Sequence, residues 1–289
     1  MPISIGVLVR RSIWVAAVEN AALGNVLMYP APGQLPVELK SLRLDEILAE
    51  IRRMAAAVRS GGEVAAVGAA VPGIVRNGVI EDAPNLGQLK GMRIAAELAD
   101  VLKEDGIGAP VTVVNDADAL AAGIAVTRAA ETPVRVWYLG DGIGFGHYPR
   151  GEGIWEAGHS VVSLDPKERF CACGGLGHLE GICGHRAMRL RFLDMEPEDI
   201  FAGALHGDAR AADFVKLWHR ALAAATATSI HMEGPGCFYL TGANADFVDL
   251  KLLDRYVHEM VKMSPLEGSR FELVPTSHDL ALIGAAAAQ

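Results

Sequence analysis

The spacing of apolar residues along the chain alternates between the period of a strand and the period of a helix. Three short apolar runs open the chain, and the short turns between them predict an antiparallel meander. These runs are ISIGVLV, SIWVAAV and NVLMY. Apolar residues then recur at helical spacing over 41–59, which predicts a helix that ends at Gly61 and Gly62.

Alternating strands and helices are predicted over the remaining chain. In order, they are strand 64–71, helix 92–104, strand 111–114, a helix after Asn115 and Asp116, strand 135–140, a Gly-rich hairpin to Tyr148, helices 185–193 and 208–231, strand 237–240, a helix from Leu250 to Val261, strand 271–274 and an Ala-rich last helix. Three strands followed by alternating helices and strands, occurring twice, predict two related α/β lobes.

The same order of elements predicts where the two lobes divide. We expect an N-terminal α/β lobe of residues 1–116 plus 275–289, because the last helix should return to it. The C-terminal α/β lobe would comprise residues 117–274, with the seam near 115–118.

Composition and charge narrow the class of protein. The chain has 289 residues, of which 51% are hydrophobic and 21% charged, so a packed globular protein is expected. The net charge is −9, and the Arg10–Arg11 pair is too short for a nucleic-acid surface. The N-terminal region has neither the pattern of a secretory signal nor that of a membrane span. We therefore expect a cytoplasmic protein without nucleic-acid or membrane partners.

Four soft metal ligands lie close together between Glu156 and Glu180. They are His159, Cys171, Cys173 and His178. Cysteines in a reducing cytoplasm are more often ligands or core residues than disulfides, and four N/S ligands are typical of a closed structural zinc site. Cys183 is an alternative fourth ligand, whereas the isolated Cys237 is expected in the core.

Two carboxylates flank the predicted zinc loop. Glu156 precedes His159 by three residues, and Glu180 follows His178 by two. A metal that fixes this loop would also fix both carboxylates, in an arrangement suited to vicinal hydroxyl groups such as those of a sugar. The alternative is that both are ordinary surface acids.

Several motifs of the chain resemble those of the ROK family (repressor, open reading frame, kinase). The resemblance extends almost from end to end. The motifs are V-P-G-I-V (71–75), A-P-N-L-G (83–87), V-V-N-D-A-D-A-L-A-A-G (113–123), E-A-G-H (156–159), C-A-C-G-G-L-G-H-L-E (171–180) and L-I-G-A-A (282–286). The resemblance implies a two-lobed α/β fold of the actin/hexokinase-like (ribonuclease H-like) type with a zinc-stapled loop. It also implies a sugar kinase that forms a homodimer.

The resemblance assigns roles by position. Asp116 would be the catalytic base, and Asp118 is a weaker alternative for it. The residues that would hold sugar hydroxyls are Asn85, Asn115, Glu156, His159 and Glu180. His159, Cys171 and Cys173 would bind zinc, and His178 stands where the family usually has a fourth ligand cysteine. Imidazole is also a good zinc ligand, so this exchange should be tolerated.

The nucleotide-binding motifs depart from the family pattern. In the first phosphate loop, Leu8 stands at the position of an aspartate that helps to hold magnesium, Arg10 and Arg11 replace two glycines, and Ser12 replaces threonine. In the second loop, G-D-G-I-G-F-G (140–146), Asp141 replaces threonine. The residues expected to contact a nucleotide are Ser12, Gly140, Asp141, Gly142, Gly144 and Gly242.

Two functions remain consistent with these motifs. One is a kinase that transfers phosphate from Mg-ATP or another donor, with Asp141 and the arginines in a rebuilt donor site. The other is a sugar-binding protein that no longer transfers phosphate. The DNA-binding branch of the family is not expected, because the first predicted strand begins at residue 3 and leaves no room for a preceding helix-turn-helix domain.

Overall fold

The structure is a computed structural model that describes residues 2–130, 133–151, 153 and 156–288. In chain order, its helices and strands are β1 (Ile3–Val9), β2 (Ile13–Glu19), β3 (Ala22–Tyr29), α1 (Leu44–Arg59), β4 (Val64–Val71), β5 (Ile74–Arg76), β6 (Val79–Asp82), α2 (Ile94–Lys103), β7 (Val111–Asn115), α3 (Asp116–Arg128), β8 (Val134–Leu139), β9 (Ile143–Tyr148), α4 (Glu180–Cys183), α5 (His185–Arg191), α6 (Pro197–Leu205), α7 (Ala209–Glu233), β10 (Cys237–Thr241), α8 (Leu250–Met260), β11 (Arg270–Leu273) and α9 (His278–Ala287).

The contacts divide the described residues into two compact units. The first unit comprises those within Met1–Glu131, Gly146–Ile154 and Ser277–Gln289, and the second those within Thr132–Phe145 and Trp155–Thr276. Both units combine a sheet with helices, so the α/β class predicted from the sequence is confirmed.

The first unit is built on a five-stranded sheet in the order β3-β2-β1-β4-β7. The first three strands are antiparallel, as predicted, whereas β4 pairs parallel to β1 and β7 pairs parallel to β4. The central strand β1 is buried on both faces. Val7 packs with Ile47 of α1 on one face, and Leu8 packs with Leu282 of α9 on the other. This alternation is the period-2 pattern of a strand.

Helix α3 belongs to the first unit, which differs from the expected seam near 115–118. The reason is its close packing against α9. A Cβ at Gly123 of α3 would overlap the carbonyl oxygen of Leu280, and a Cβ at Gly284 of α9 would overlap that of Ala119. Glycines at both positions therefore let the two helix backbones approach closely, and the change of unit occurs after α3 rather than before it.

The second unit is built on a four-stranded sheet in the order β11-β10-β8-β9. Strand β10 runs parallel to both of its neighbours, β11 and β8. The core of the second unit contains the fully buried Trp137 and Phe238 together with Trp218 of the long helix α7. The indole Nε1 of Trp137 donates a hydrogen bond to Thr226 Oγ1 at 3.1 Å, which satisfies its polar atom within the core.

Some elements were not predicted. The hairpin of β5 and β6 turns at Asn77–Gly78, where both residues have positive φ, and an Asn-Gly pair is a strong signal for such a turn. Helix α6 begins with Pro197, followed by two acidic residues, which is a typical helix start. Two strands, β8 and β9, precede the helices among the described residues of the second unit, rather than the three expected.

Candidate functional site

The four predicted metal ligands converge on one point in the second unit. The ligand atoms are Nδ1 of His159, Sγ of Cys171, Sγ of Cys173 and Nδ1 of His178, and all lie within 4.8 Å of one another. The two Nδ1 atoms are 3.3 Å apart. Cys171 Sγ lies 3.4 Å from His159 Nδ1, and Cys173 Sγ lies 3.5 Å from His159 Nδ1 and 3.3 Å from His178 Nδ1.

These separations fit the edges of a tetrahedron around a small cation. With zinc bonds of ordinary length, two nitrogen ligands are about 3.3 Å apart and a nitrogen–sulfur pair about 3.5 Å apart. The Cys171 and Cys173 sulfurs lie 3.3 Å apart, which is closer than the roughly 3.8 Å of two zinc-bound thiolates. The cluster, which we call the knuckle (residues 156–180), could therefore hold a tetrahedral metal with little rearrangement.

The backbone of the knuckle is shaped so that these side chains meet. A Cβ at Gly175 would overlap the ring of His178, and Gly177 has a φ of +68°. The amide of Gly175 also donates to Cys173 Sγ at 3.3 Å. Glycine is thus needed here for both a close approach and a left-handed turn.

The titration of the knuckle side chains reflects their crowding. Burial raises the pKa of the Cys171 thiol to about 12, and the neighbouring Cys173 and Glu180 side chains act in the same direction. Burial lowers the pKa of His178, and the neighbouring His159 lowers it further. A bound cation would lower the pKa of Cys171 again, because a thiol that coordinates a cation is deprotonated. The lowered pKa of His178 favours its neutral imidazole, which is the form that binds metal.

The two remaining cysteines lie outside this cluster. Cys183 is fully buried, and its Sγ donates to the carbonyl of Trp218 at 3.4 Å. Burial raises the pKa of its thiol well above the usual value. Cys183 is therefore a core residue rather than the alternative fourth ligand, and Cys237 is buried in β10, as predicted.

The two flanking carboxylates differ in their surroundings. Glu180 begins α4, and its Oε1 lies 3.3 Å from Cys171 Sγ, while its Oε2 accepts a hydrogen bond from the amide of Ile143 at 3.1 Å. Glu156 has an exposed side chain, and its carbonyl oxygen accepts from the amide of His159 at 2.9 Å. Both residues lie beside predicted metal ligands in the second unit.

The Gly-rich second loop adjoins α4. Gly140 is buried, Gly142 and Gly144 are half-buried, and Asp141 is exposed. The carbonyl of Gly140 accepts from the amide of His185 at 2.9 Å. Gly242, after β10, has a φ of +103°.

A buried asparagine that was not predicted supports this loop. Asn244 is fully buried, and its Nδ2 donates to the carbonyls of Gly140 and Cys183, each at 3.1 Å. Its Oδ1 lies 2.9 Å from His185 Nδ1. The only sequence signal was its place just after a buried strand, beside the L-T-G-A segment. A polar residue at that place is typical both of a structural loop and of a ligand-binding site, so the sequence did not specify the role of Asn244.

In the first unit, Asn115 and Asp116 lie at the junction of β7 and α3. Asn115 caps the helix, because its Oδ1 accepts from the amides of Ala117 at 2.7 Å and Asp118 at 3.3 Å. Its Nδ2 donates to the carbonyl of Gly73 at 2.9 Å. Asn115 therefore uses most of its hydrogen-bonding groups to support the backbone, and its second N–H has no acceptor among the residues that the structure describes.

Asp116 is paired with a residue of the first loop. Arg10 Nε donates to Asp116 Oδ2 at 2.6 Å, and both side chains are less than one-fifth exposed (16% and 18%). Asp116 Oδ1 accepts no hydrogen bond from the described residues. The carboxylate thus has one oxygen occupied by a guanidinium and one available.

Asp118, the alternative base, has a different environment. Its Oδ1 accepts from the amide of His147 at 3.2 Å, and its Oδ2 lies 3.6 Å from Arg150 Nε. Burial raises its pKa, with the nearby Asp116 adding to the rise, while His147 and Arg150 oppose it. These contacts assign Asp118 to the packing of residues 147–150 against α3.

The other predicted residues of the first unit are spread over two turns. Arg10, Arg11 and Ser12 form the short connection between β1 and β2, and the amide of Arg10 donates to the carbonyl of Ser12 at 3.0 Å. Leu8 is fully buried in the strand before it. Asn85 is exposed, in the turn that follows β6. Across the described residues, no helix is both long enough and apolar enough to cross a membrane.

Comparison with known proteins places this geometry in a family. A family model described as "ROK family" matches residues 41–288. A glucokinase of Pyrobaculum calidifontis is 29% identical over 238 residues, which cover 76% of each protein.

Two solved structures share the fold. The ROK hexokinase of Thermus thermophilus has 21% identity and a TM-score of 0.78, with 98% of this chain and 96% of that one covered. A ROK family glucokinase of Streptomyces griseus, in complex with glucose and AMPPNP, has 21% identity and a TM-score of 0.70, with 99% and 98% covered. The fold is accordingly the actin/hexokinase-like α/β fold. Because the family match spans most of the chain, the protein belongs to the ROK family.

Proposed function

We propose that the protein is a sugar kinase that transfers a phosphoryl group from a nucleotide to a hydroxyl of a hexose or amino sugar. The observation that carries this proposal is the convergence of His159, Cys171, Cys173 and His178, with Glu180 in contact with one of them. The similarity to a glucokinase of Pyrobaculum calidifontis supports the same reaction class.

The metal that best fits the knuckle is zinc in a structural role. Two thiols, two imidazoles and tetrahedral spacing are the donor set that zinc prefers, and four protein ligands leave no open position for a substrate. Zinc bound there would hold its ligands in fixed positions. His159 would bind through Nδ1, so its Nε2–H would remain to donate to a sugar hydroxyl.

The sugar would be held by carboxylates and amides. Glu156 and Glu180 supply acceptors for hydroxyl protons, and His159 supplies a donor, so vicinal hydroxyls could bridge them. Asn85 has an exposed amide, and Asn115 has one uncommitted N–H. Asn115 would therefore contribute less to sugar binding than the resemblance implies.

Asp116 would accept the proton of the attacking hydroxyl. In the transfer, a bond forms between the sugar oxygen and the γ-phosphorus, the bond from phosphorus to the bridging oxygen breaks, and a nucleoside diphosphate leaves. The hydroxyl proton would pass to Asp116 Oδ1, while Arg10 holds Oδ2 and keeps the carboxylate in place.

The donor side does not fit the magnesium site of the family pattern. Leu8 is fully buried against α9, and no carboxylate replaces it in that strand, so we assign no step to magnesium. We propose that Arg10 and Arg11 contact the donor phosphates and that Asp141, the one carboxylate in the sequence of the second loop (140–146), faces the cation that accompanies them.

A second function, sugar binding without phosphoryl transfer, is favoured by one specific observation. Arg10 occupies the place of a phosphate-loop glycine and forms an ion pair with the proposed base. A guanidinium held there would exclude a close approach of phosphate to the backbone. Calorimetry with Mg-AMPPNP, alone and with a panel of hexoses and N-acetylhexosamines, separates the two functions. Tight sugar binding without nucleotide heat would favour the second.

Asp116→Asn tests the proposed base. We expect kcat to fall at least about 100-fold, because a general base contributes about that much, while sugar affinity changes little. Asp118→Asn is the matched control at the neighbouring carboxylate and should keep turnover. Normal turnover in Asp116→Asn would contradict the assignment. We further propose a cytoplasmic location, and we infer a homodimer from the family resemblance, which gel filtration with light scattering tests.

A further inference from the structure

Glu180 contacts the knuckle with one carboxylate oxygen and the Gly-rich loop with the other. Its Oε1 lies 3.3 Å from Cys171 Sγ, and its Oε2 accepts from the amide of Ile143 at 3.1 Å. All three residues lie in the second unit. A single side chain therefore joins a metal-ligand residue to the segment 140–144.

The loop lies directly on this carboxylate. A Cβ at Gly142 would be only 2.5 Å from Glu180 Oε2, so a larger residue there would displace one or the other. At the opposite end of the loop, the carbonyl of Gly140 accepts from the amide of His185, which follows α4, and from Nδ2 of Asn244, which follows β10. The loop thus has two anchors, of which Glu180 is the one that also touches the metal ligands.

The position of Glu180 in turn depends on the knuckle. It follows His178 by two residues, and its neighbour Gly181 packs so closely on Cys171 that a Cβ would be 2.9 Å from the Cys171 amide nitrogen. Fixing Cys171 and His178 therefore fixes the start of α4 and the Glu180 side chain.

We propose that Glu180 is a positioning residue through which metal binding at the knuckle orders the loop 140–144. The inference rests on the metal proposed for the knuckle but not on phosphoryl transfer. With metal bound, Glu180 is held so that it accepts the Ile143 amide. Without metal, the Glu180 carboxylate moves with the knuckle, and the loop 140–144 is less ordered. A ligand that binds the loop must then also order it. Metal affinity and the affinity of the loop for its ligand are then coupled, and the coupling is reciprocal.

Amide hydrogen exchange tests this coupling without any substrate. We would measure exchange of the segments 140–144, 171–183 and 237–241 in the zinc-loaded protein and after chelation. Chelation should speed exchange in both 171–183 and 140–144. In Glu180→Ala with zinc bound, exchange should rise about tenfold in 140–144 alone, as expected for the loss of roughly one hydrogen bond.

Two further variants separate positioning from general destabilisation. Glu180→Gln retains an oxygen that can accept from Ile143, so loop protection should return almost to the wild-type level. Gly142→Ala disturbs the same contact from the loop side and serves if Glu180→Ala does not fold. Glu196→Gln and Gly108→Ala are controls, because Glu196 is exposed and a Cβ at Gly108 meets no atom within 4 Å.

The outcomes decide the proposal. Wild-type protection of 140–144 in zinc-loaded Glu180→Ala would overturn it, as would a chelated protein whose knuckle opens while 140–144 is unchanged. Faster exchange in β10 (237–241) as well would show general loosening and also overturn it. Failure to take up zinc would overturn the metal-dependent coupling. A kinase assay on the same samples tests the proposed reaction separately.

Discussion

Arg10 Nε lies 2.6 Å from Asp116 Oδ2, although the two residues are 106 positions apart in the chain. They meet because β1 and β7 lie on either side of β4, and Arg10 directly follows β1 while Asp116 directly follows β7. Parallel strands end at the same edge of the sheet, so residues that follow them come together. The ion pair therefore places Arg10, which stands where the family pattern has a glycine, against the proposed base Asp116.

A double-mutant cycle should detect a strong coupling between these two residues. Arg10→Met removes the guanidinium that faces a mostly buried carboxylate, and Asp116→Asn removes the negative charge that this guanidinium faces. We expect a coupling free energy of about 1.5 kcal/mol, which is typical of a hydrogen bond between charged groups. Urea unfolding of the wild type, both single variants and the double variant measures it.

The exposed pair Arg189 and Glu196 is the matched control for this cycle. Its atoms are also 2.6 Å apart, but both side chains are more than half exposed. Solvent screening should leave little measurable coupling there. Equal coupling in the two cycles would show that the partial burial of Arg10 and Asp116 has no energetic effect.

Zinc should bind the knuckle with a stoichiometry of one ion per chain. Chelation should lower Tm by about 5–10 °C if the ion contributes about 3 kcal/mol to the free energy of unfolding. Cys173→Ser removes an exposed ligand and should abolish stoichiometric zinc binding. Cys237→Ser alters a cysteine in β10 and should retain the ion. Metal analysis and thermal unfolding measure both effects, and zinc-free native protein that cannot be loaded would refute the site.

The sequence predicted features that depend on local spacing. Alternation of apolar residues located β1, and the spacing of His159, Cys171, Cys173 and His178 located the cluster that the structure brings together. Ligands within 20 residues, with glycines between them, have few ways to meet. Their convergence could therefore be predicted without knowledge of the sheet order.

Features that depend on sheet order and helix packing could not be predicted in the same way. The pair of Arg10 and Asp116 requires β4 to lie between β1 and β7, and no local pattern specifies that order. The assignment of α3 to the first unit depends on its glycine contact with α9. Glu180 was predicted beside a sugar, but its contact with Ile143 requires the β8–β9 loop to lie against α4.

Asn244 should be among the most sensitive polar residues of the second unit. Asn244→Ala would remove the donors to the carbonyls of Gly140 and Cys183 and the partner of His185 Nδ1. Because buried groups left unpaired each cost about 1–3 kcal/mol, we expect a loss of about 2–4 kcal/mol in the free energy of unfolding. Urea unfolding measures it, with the exposed Asn25→Ala as control. A loss no larger than that of the control would contradict the support role.

The free energy of unfolding should decrease when the pH is lowered below about 6.5, partly because of His219. This ring is 1% exposed; its Nδ1 lies 2.8 Å from the Val215 carbonyl, and its Nε2 accepts from the Asp249 amide at 2.9 Å. Both contacts fit the neutral ring. Protonation at Nε2 would place its N–H against the N–H of Asp249, and the hydrogen bond between them would be lost.

Burial lowers the pKa of His219, although Val215 and Asp249 partly oppose this. Below the pKa of the unfolded chain, about 6.5, the unfolded state takes up a proton that the folded state does not, which lowers the free energy of unfolding by up to about 1.4 kcal/mol per pH unit. The loss continues until the lower pKa of the folded state is reached. Burial also lowers the pKa of His178 and His278, so His219 should account for only part of the pH dependence.

His219→Gln should therefore be less stable than the wild type at about pH 7.5, because it loses a fitted ring, but should lose less stability between about pH 6.5 and 5. His231→Gln is the matched control, since its ring is exposed on the same helix, and it should follow the wild-type curve. Urea unfolding at several pH values measures all three proteins. A slope in His219→Gln equal to that of the wild type would show that this imidazole is not a source of the acid sensitivity.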